Sequence, residues 1–287
     1  MTKGVLLYAL NNQEVDYIKQ AVFCAKKIKE HLKLPVAIVT DTPDYLETAF
    51  KFYKKYIDEI IVIPEVYVDQ KRNFLDGVYT TKRLPWKNHS RSDCYRLTPF
   101  DETIVLDADY IIGNNILLNC FDLNEDFLIY STPKDIISTV RTVQKFNRIS
   151  DRTIDMYWAT GFYFKKSPFM ELYFNLVNHI KDNWHYYRLM YQIPDSNYRN
   201  DFSFSIAVHI LRGFQLNQHW PVVMPGNMYL ASDSDLFLSI ENNKLTFIAD
   251  CANNGQKYIT VSVEDLNVHV MNKFSLGRVI DKEFTNE

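Results

Sequence analysis

The chain has 287 residues, of which 47% are hydrophobic and 23% charged, and its formal net charge is −3. A chain of this length can bury a sizeable core, and the composition is that of a globular protein rather than a disordered one. The negative net charge excludes a polycation that binds nucleic acid through its overall charge. The scattered cysteines predict neither a zinc site nor a disulfide framework. The sequence shows no apolar run as long as a membrane span and no signal pattern, and it therefore predicts a cytoplasmic protein without a membrane partner.

Strands and helices alternate over the first 63 residues. Hydrophobic runs at 4–10, 36–40 and 59–63 are typical of buried strands. A helix is predicted from Val15 to Leu32, where apolar residues recur at spacings of three or four, and a second helix is predicted over about 44–56. This order predicts an α/β fold in which helices flank a mostly parallel sheet with right-handed crossovers.

Polar residues at the carboxyl ends of these strands are candidates for ligand binding. Tyr8 and Asn11 stand at the end of the first strand and could contact the base of a nucleotide. Asp41 follows the second strand; it could contact the base or ribose, or it could simply end the strand. The chain has no Gly-x-Gly-x-x-Gly or Gly-Lys-Ser/Thr loop. A bound nucleotide would therefore need a metal ion or basic side chains to neutralise its phosphates.

Two carboxylates lie at the end of a third buried strand, 103–107. Asp107 and Asp109 follow four β-branched or aliphatic residues, and aliphatic Ile111 and Ile112 come next. Two acids at this position are costly unless a positive charge lies between them, and Mg²⁺ or Mn²⁺ carrying a diphosphate is the usual solution. The alternative is that both acids cap a turn and face solvent.

Basic residues are concentrated just before that strand, with seven Lys or Arg against two acids in residues 71–100. A helix is predicted over roughly 89–98, and it could direct Arg91 at a phosphate. For the other basic residues a solvated surface is the simpler interpretation.

The second half of the chain contains further elements without a repeat or a linker. A strand is predicted over 158–164, and the helix after it has Ser167 as N-cap and Pro168 at its first position. Another helix is predicted over 200–212, and a hairpin joins 236–240 to 245–248. A late strand at 267–271 is followed by a polar tail.

Several short motifs resemble, in the same order, those of glycosyltransferase family 8, the glycogenin and galactosyltransferase group of GT-A fold enzymes. Residues 97–109 match its helix, loop and Asp-x-Asp strand, and Arg91 stands where the family has a basic residue that reaches the donor phosphates. Residues 159–168 resemble its Asn-Ser-Gly motif. Residues 199–203 resemble its Asp-Gln helix start, and 267–269 resemble its late strand with a metal-binding histidine.

The resemblance implies one GT-A domain over residues 1–287. Residues 1–113 would form the nucleotide-binding half, 114–273 the half that binds the acceptor and completes the metal site, and 274–287 a tail. It further implies a retaining hexosyl- or pentosyltransferase that uses a UDP-sugar and Mn²⁺ (or Mg²⁺). The implied metal ligands are Asp107, Asp109 and His269.

The same resemblance implies roles for Arg91, Lys273 and Asp201, and for Lys273, Asp201 and His269 a simpler structural alternative exists. Arg91 and Lys273 would contact the diphosphate, but Lys273 could be an ordinary surface lysine. Asp201 would lie beside the reacting sugar, or it could only cap a helix. His269, as a lone histidine on an apolar strand, could instead be a core residue. We expect alanine at Asp107 or Asp109 to abolish turnover and leave folding intact.

The chain departs from the family pattern at three places, and these departures concern the sugar and the acceptor. Trp158 and Ala159 replace an expected polar residue, Phe202 replaces the glutamine, and the family's Gly-x-x-Lys-Pro-Trp run is missing. The specific acceptor that we predict is a hydroxymethylated base of phage DNA, which would place the enzyme in the host cytoplasm. One basis for this prediction is a second group of basic residues that would flank the site together with residues 71–100: Lys134, Arg141, Lys145, Arg148 and Arg152. The other is that the compact size and the richness in Lys, Asn, Ile and Tyr resemble those of phage-encoded transferases, some of which glycosylate DNA bases.

The sequence is also compatible with other acceptors and with a non-catalytic function. The acceptor could be a protein, a glycan or a small molecule, and the chain could bind a nucleotide sugar without catalysis. A nucleotidyltransferase would usually carry a glycine-rich basic loop after the first strand, and residues 9–14 do not resemble one.

Overall fold

The computed structural model describes residues 1–65, 67, 69–137, 148–149, 154–194, 197–214, 219–251 and 257–285. In chain order, the elements of the first part are β1 (Lys3–Tyr8), α1 (Tyr17–His31), β2 (Val36–Thr40), α2 (Pro43–Ala49), a 3₁₀ helix (Lys51–Tyr56), β3 (Glu59–Val62), β4 (Lys71–Leu75), β5 (Thr81–Pro85), a second 3₁₀ helix (Ser90–Asp93), α3 (Cys94–Leu97), β6 (Glu102–Asp107) and β7 (Tyr110–Ile111). The later elements are a third 3₁₀ helix (Ile116–Phe121), β8 (Phe127–Tyr130), β9 (Lys134–Asp135), β10 (Trp158–Lys165), α4 (Pro168–Asp182), α5 (Trp184–Met190), α6 (Asn200–Leu211), β11 (Tyr229–Ala231), β12 (Leu236–Glu241), β13 (Lys244–Asp250), β14 (Tyr258–Glu264), β15 (Val268–Val270) and α7 (Lys273–Thr285).

The largest sheet has six strands in the order β3-β2-β1-β6-β10-β8. Strands β3, β2, β1 and β6 are parallel to one another, and β10 is antiparallel to both of its neighbours. The predicted α/β class with a mostly parallel central sheet is confirmed. Tyr8 pairs with Asp107 and with Val39, so the carboxyl ends of the three central strands lie side by side.

A second sheet has the order β7-β15-β11-β9. Strand β7 pairs with β15, and His269 lies opposite Tyr110. The backbone N–H of Val270 donates to the carbonyl of Asp109 at 3.0 Å. This pairing carries the late histidine to the turn that contains both acids, although 160 residues separate His269 from Asp109.

Gly113 is required for this pairing because β15 approaches it too closely for a side chain. A Cβ at Gly113 would lie 2.5 Å from the carbonyl oxygen of Leu266, which is closer than real Cβ contacts. The N–H of Gly113 also donates to Asn267 Oδ1 at 2.9 Å.

Two smaller sheets complete the fold. The predicted hairpin near the C-terminus is confirmed as β12 and β13, and the structure adds β14 as a third antiparallel strand. Residues 71–85 form an antiparallel hairpin of β4 and β5, an element that the sequence did not predict.

The polar tail predicted after residue 273 is wrong, because residues 273–285 form helix α7. Leu276, Val279 and Ile280 recur at helical spacing and are buried. Phe284 packs on Tyr53 with ring centroids 4.1 Å apart. The sequence-based prediction missed this helix because most residues of the segment are polar and its apolar face is narrow. Within the described residues, no helix has the length and apolar character needed to cross a bilayer.

Candidate active site

The carboxyl ends of β1 and β6 open into a cleft with a cavity volume of about 330 Å³. The structure brings most of the predicted site residues to the walls of this cleft, although they come from distant parts of the chain. Those residues are Tyr8, Arg91, Asp107, Asp109, Asp201, His269 and Lys273.

Three of them can share one metal ion. Asp107, Asp109 and His269 each offer a ligand atom, and these atoms lie within 4.8 Å of one another. His269 Nε2 is 3.1 Å from Asp109 Oδ2 and 3.7 Å from Asp107 Oδ2. Two carboxylates and an imidazole are a donor set that suits Mn²⁺, so the residues present fit the expected ion.

The ring of His269 is oriented by packing rather than by a hydrogen bond to its second nitrogen. The ring stacks on Tyr110 at a centroid distance of 5.1 Å. Nδ1 is buried and has no hydrogen-bond partner among the described residues. The turn after β6 and the register of β15 therefore set where Nε2 points.

Two cations lie against the two acids. Arg91 forms an ion pair with Asp107 and also donates to the carbonyl of Ala159. Lys273 forms an ion pair with Asp109. Burial alone would raise the pKa of Asp109, but the charges and hydrogen bonds of His269 and Lys273 outweigh burial and hold that pKa below its usual range. Asp109 is thus kept ionised, as a metal ligand must be.

Asp201 is held at the start of α6 by groups outside its own helix. One carboxylate oxygen accepts from the N–H of Ala159 at 2.9 Å, and the other pairs with Arg199 at 2.8 Å. The helix has no side-chain N-cap bond. Capping alone therefore does not account for Asp201, whose carboxylate is fixed at the cleft wall. Ala159 links the two sides of the cleft, because its N–H binds Asp201 and its carbonyl binds Arg91.

Asn11 and Asp41 are not among the residues that line the cleft. Asn11 accepts from the N–H of Ile18 at 2.9 Å and donates to Asp16, and so shapes the start of α1. Asp41 pairs with Lys87 at 3.0 Å. Lys87 does line the cleft. Nucleotide contacts by Asn11 and Asp41 stay predictions.

The cleft also contains residues that the sequence did not single out as site residues. Trp86 and Asn88 follow β5, and the guanidinium of Arg72 lies 3.4 Å from the centroid of the Trp86 ring. Asp233 follows β11, and burial raises the pKa of its carboxyl although Lys273 opposes that rise. Trp86 lies within the basic segment 71–100, and this combination could have marked it in the sequence as a candidate cleft residue. Nothing in the sequence marks Asp233, because β11 has only three residues.

No protein-family model matches the chain, and no curated protein matches it. Several solved structures share part of its fold. The glycosyltransferase GlyE of Streptococcus pneumoniae TIGR4 is 13% identical with a TM-score of 0.40, over 74% of this chain and 43% of that chain. The galactosyltransferase LgtC, solved with donor and acceptor sugar analogues, is 10% identical with a TM-score of 0.42, over 71% of this chain and 70% of that chain.

Mouse xyloside xylosyltransferase 1 is a third match, 10% identical with a TM-score of 0.42, over 75% of this chain and 83% of that chain. The chain spans less than half the length of GlyE. Because every one of these TM-scores is below 0.5, the chemistry of this chain has to be inferred from its own side chains.

Proposed function

We propose that the chain is a metal-dependent glycosyltransferase that moves a sugar from a nucleotide-sugar donor to an acceptor hydroxyl. The observation that carries this proposal is the grouping of Asp107, Asp109 and His269 beside Arg91 and Lys273 in one cleft. Sugar transfer leaves negative charge on a departing diphosphate, and a divalent ion between two cationic side chains stabilises that charge.

Seven residues of the cleft have roles in this proposal. Asp107, Asp109 and His269 would hold Mn²⁺ or Mg²⁺, which would supply Lewis-acid stabilisation of the leaving diphosphate. Arg91 and Lys273 contact the phosphate oxygens. Asp201 orients the donor sugar and stabilises the positive charge that develops on its ring. Tyr8, whose hydroxyl is buried without a partner among the described residues, contacts the base.

The finer assignments rest on the resemblance to family 8 and are part of the proposal. They are a UDP-sugar donor, Mn²⁺ as the ion, retention of configuration at the anomeric carbon, and a GT-A domain with the two halves given above. Neither a hexose nor a pentose donor is favoured by the described cleft residues.

A thermal-shift panel of nucleotide sugars, with and without MnCl₂, tests the proposal. A donor at one hundred times its dissociation constant adds about 2.7 kcal/mol of stability, a rise of several degrees in Tm. We expect this rise with UDP-sugars and Mn²⁺, and we expect Asp109→Asn and His269→Ala to lose it. His209→Ala, on α6 and outside the cleft lining, is the control. An equal rise for wild type in excess EDTA would exclude a metal role.

The main alternative is a protein that binds a nucleotide sugar without turning it over. Such a protein would give the same thermal shift. It would release no UDP from the donor when Mn²⁺ and a mixture of acceptors are supplied, whereas a transferase would release it by transfer or by slow hydrolysis.

A hydroxymethylated base of phage DNA remains the specific acceptor predicted from the sequence. Of the seven basic residues in 71–100, five contact carbonyl or carboxylate groups of the chain itself: Arg72, Lys82, Lys87, Arg91 and Arg96. Lys71 and Arg83 are exposed, as are Lys134 and Arg148 in the second group. Arg141, Lys145 and Arg152 lie outside the described residues.

The exposed basic residues are therefore what supports a DNA acceptor. Transfer to such DNA should fall steeply between 50 and 200 mM salt, because bound counterions are released when phosphates are contacted. Transfer that is insensitive to salt would argue against DNA.

A further inference from the structure

A second cavity of about 340 Å³ lies outside the cleft just described. One wall is the tip of the β4–β5 hairpin, and the other is the sheet of β12, β13 and β14. We call it the tyrosine groove and define it by Asp76, Gly77, Tyr79, Leu236, Ile248 and Tyr258.

The walls of the tyrosine groove are fixed in place. Asp76 accepts from both terminal nitrogens of Arg278 at 2.8 Å, which ties the hairpin tip to α7. Gly77 has a φ of +71°, and a Cβ there would lie 3.2 Å from Leu236. The tip is thus closely packed against β12. Tyr79 on the hairpin and Tyr258 on β14 both line the groove and lie close enough to interact with each other.

The groove adjoins the cleft along both of its walls. Leu75 lines the cleft and the next residue, Asp76, lines the groove. In the same way Asp233 lines the cleft and Ser234 lines the groove. The hairpin and the loop after β11 thus contribute residues to both cavities.

The chemistry of the groove is apolar and aromatic. Tyr79 is 83% exposed and Tyr258 is 40% exposed, and Leu236 and Ile248 add aliphatic side chains from the sheet wall. Asp76 is the one charged residue in its described lining, and Arg278 already neutralises it. Tyrosines combine an apolar ring face with a hydroxyl, so they can stack on a sugar ring and bond to its hydroxyls.

We propose that the tyrosine groove binds the distal sugar units of a neutral oligosaccharide acceptor whose reacting end lies in the cleft. The proposal rests on the glycosyltransferase function and favours a glycan acceptor over the DNA acceptor predicted from the sequence. Nucleic acid fits the groove less well, because a phosphate backbone requires basic side chains and the lining supplies none among the described residues.

The test compares neutral tetrasaccharides with their monosaccharides by isothermal titration calorimetry. The probes are cellotetraose, maltotetraose, laminaritetraose, mannotetraose and chitotetraose. We expect at least one tetrasaccharide to bind wild type at least tenfold more tightly than its monosaccharide. The double variant Tyr79→Ala/Tyr258→Ala should lose about tenfold, which is about 1.4 kcal/mol.

Two controls isolate the ring stacking. Tyr79→Phe/Tyr258→Phe keeps both rings and should retain most of the affinity. Tyr186→Ala removes a tyrosine that is 59% exposed on α5 and does not line the groove, and it should bind as wild type does. The Mn²⁺-dependent thermal shift with UDP-sugar should be unchanged in all three variants.

Three results would overturn the proposal: no tetrasaccharide binds wild type, tetrasaccharide and monosaccharide bind equally, or the double alanine variant binds as tightly as wild type. A single-stranded oligonucleotide that binds wild type and loses affinity in the double alanine variant would also overturn it, in favour of nucleic acid. If nucleotide sugars give no thermal shift with the wild-type protein, the function proposed for the cleft is refuted instead. The two failures can be told apart because the glycan titration contains no nucleotide.

Discussion

Arg91 is 2% exposed, and its guanidinium contacts both Asp107 and the carbonyl of Ala159. A cation buried to this degree depends on its anionic partner, because losing the partner leaves an uncompensated charge out of water. The acid that we assign to the metal site is thus also a structural partner of Arg91. This double role changes the expectation, formed on the sequence alone, that alanine at Asp107 would leave folding intact.

We predict that Asp107→Ala lowers the free energy of unfolding by about 3–5 kcal/mol, the usual cost of breaking a buried ion pair. The measurement is urea unfolding at pH 7. The double variant Arg91→Met/Asp107→Ala should recover part of the loss, since it removes the stranded charge. Asp122→Ala, at an exposed aspartate, should change stability by less than about 0.5 kcal/mol. A wild-type unfolding curve for Asp107→Ala would show that Arg91 does not need this partner.

At the scale of elements, the metal site depends on the pairing of β7 with β15. Asp109 lies just before β7 and His269 lies within β15, so any shift between the two strands separates the ligands. The backbone of Leu266 approaches Gly113 without room for a side chain, and this contact fixes the entry of β15.

We expect Gly113→Ala to destabilise the protein by about 1–3 kcal/mol, the range for overpacking, because a backbone atom cannot move aside as a side chain does. It should also weaken Mn²⁺ binding at least tenfold, because changing the groups that hold a metal ligand in position typically lowers metal affinity about 10- to 100-fold. Calorimetric Mn²⁺ titration and urea unfolding measure the two effects.

The control is Gly277→Ala within α7, where a Cβ meets only the end of Lys19 at 3.7 Å. Alanine is favoured over glycine in a helix, so this variant should gain about 0.5–1 kcal/mol. If Gly113→Ala behaved like Gly277→Ala, the close approach of β15 would not matter for the site.

Over the whole molecule, α7 connects the end of the chain to its beginning. Helix α7 packs on α1 and β12, and Gln20 in α1 donates to the carbonyl of Lys273 at 3.0 Å. Its position thus connects the first helix, the metal-site strand β15 and the hairpin tip held by Arg278.

We predict that a chain truncated after Lys273 does not fold stably. Leu276, Val279 and Ile280 each contribute roughly 1.5–3 kcal/mol by burial, so their loss approaches the total stability of a typical domain. Circular dichroism during heating is the measurement. Lys282→Ala, on the exposed side of α7, should melt as wild type does. If the truncated chain unfolds cooperatively at the wild-type temperature, α7 is not needed for folding and the segment is a tail, as predicted from the sequence.

Local pattern by itself determined the alternation of strands and helices, the N-cap Ser167 and the acids at the end of β6, because side-chain periodicity and strand ends are properties of neighbouring residues. The tertiary structure decided which distant groups meet. In the folded protein Lys273 forms an ion pair with Asp109, although 164 residues separate them, and the buried Arg91 pairs with Asp107. Tyr79 and Tyr258 come to line the same groove. Such contacts follow from strand register and close backbone approach, and short sequence motifs do not encode either one.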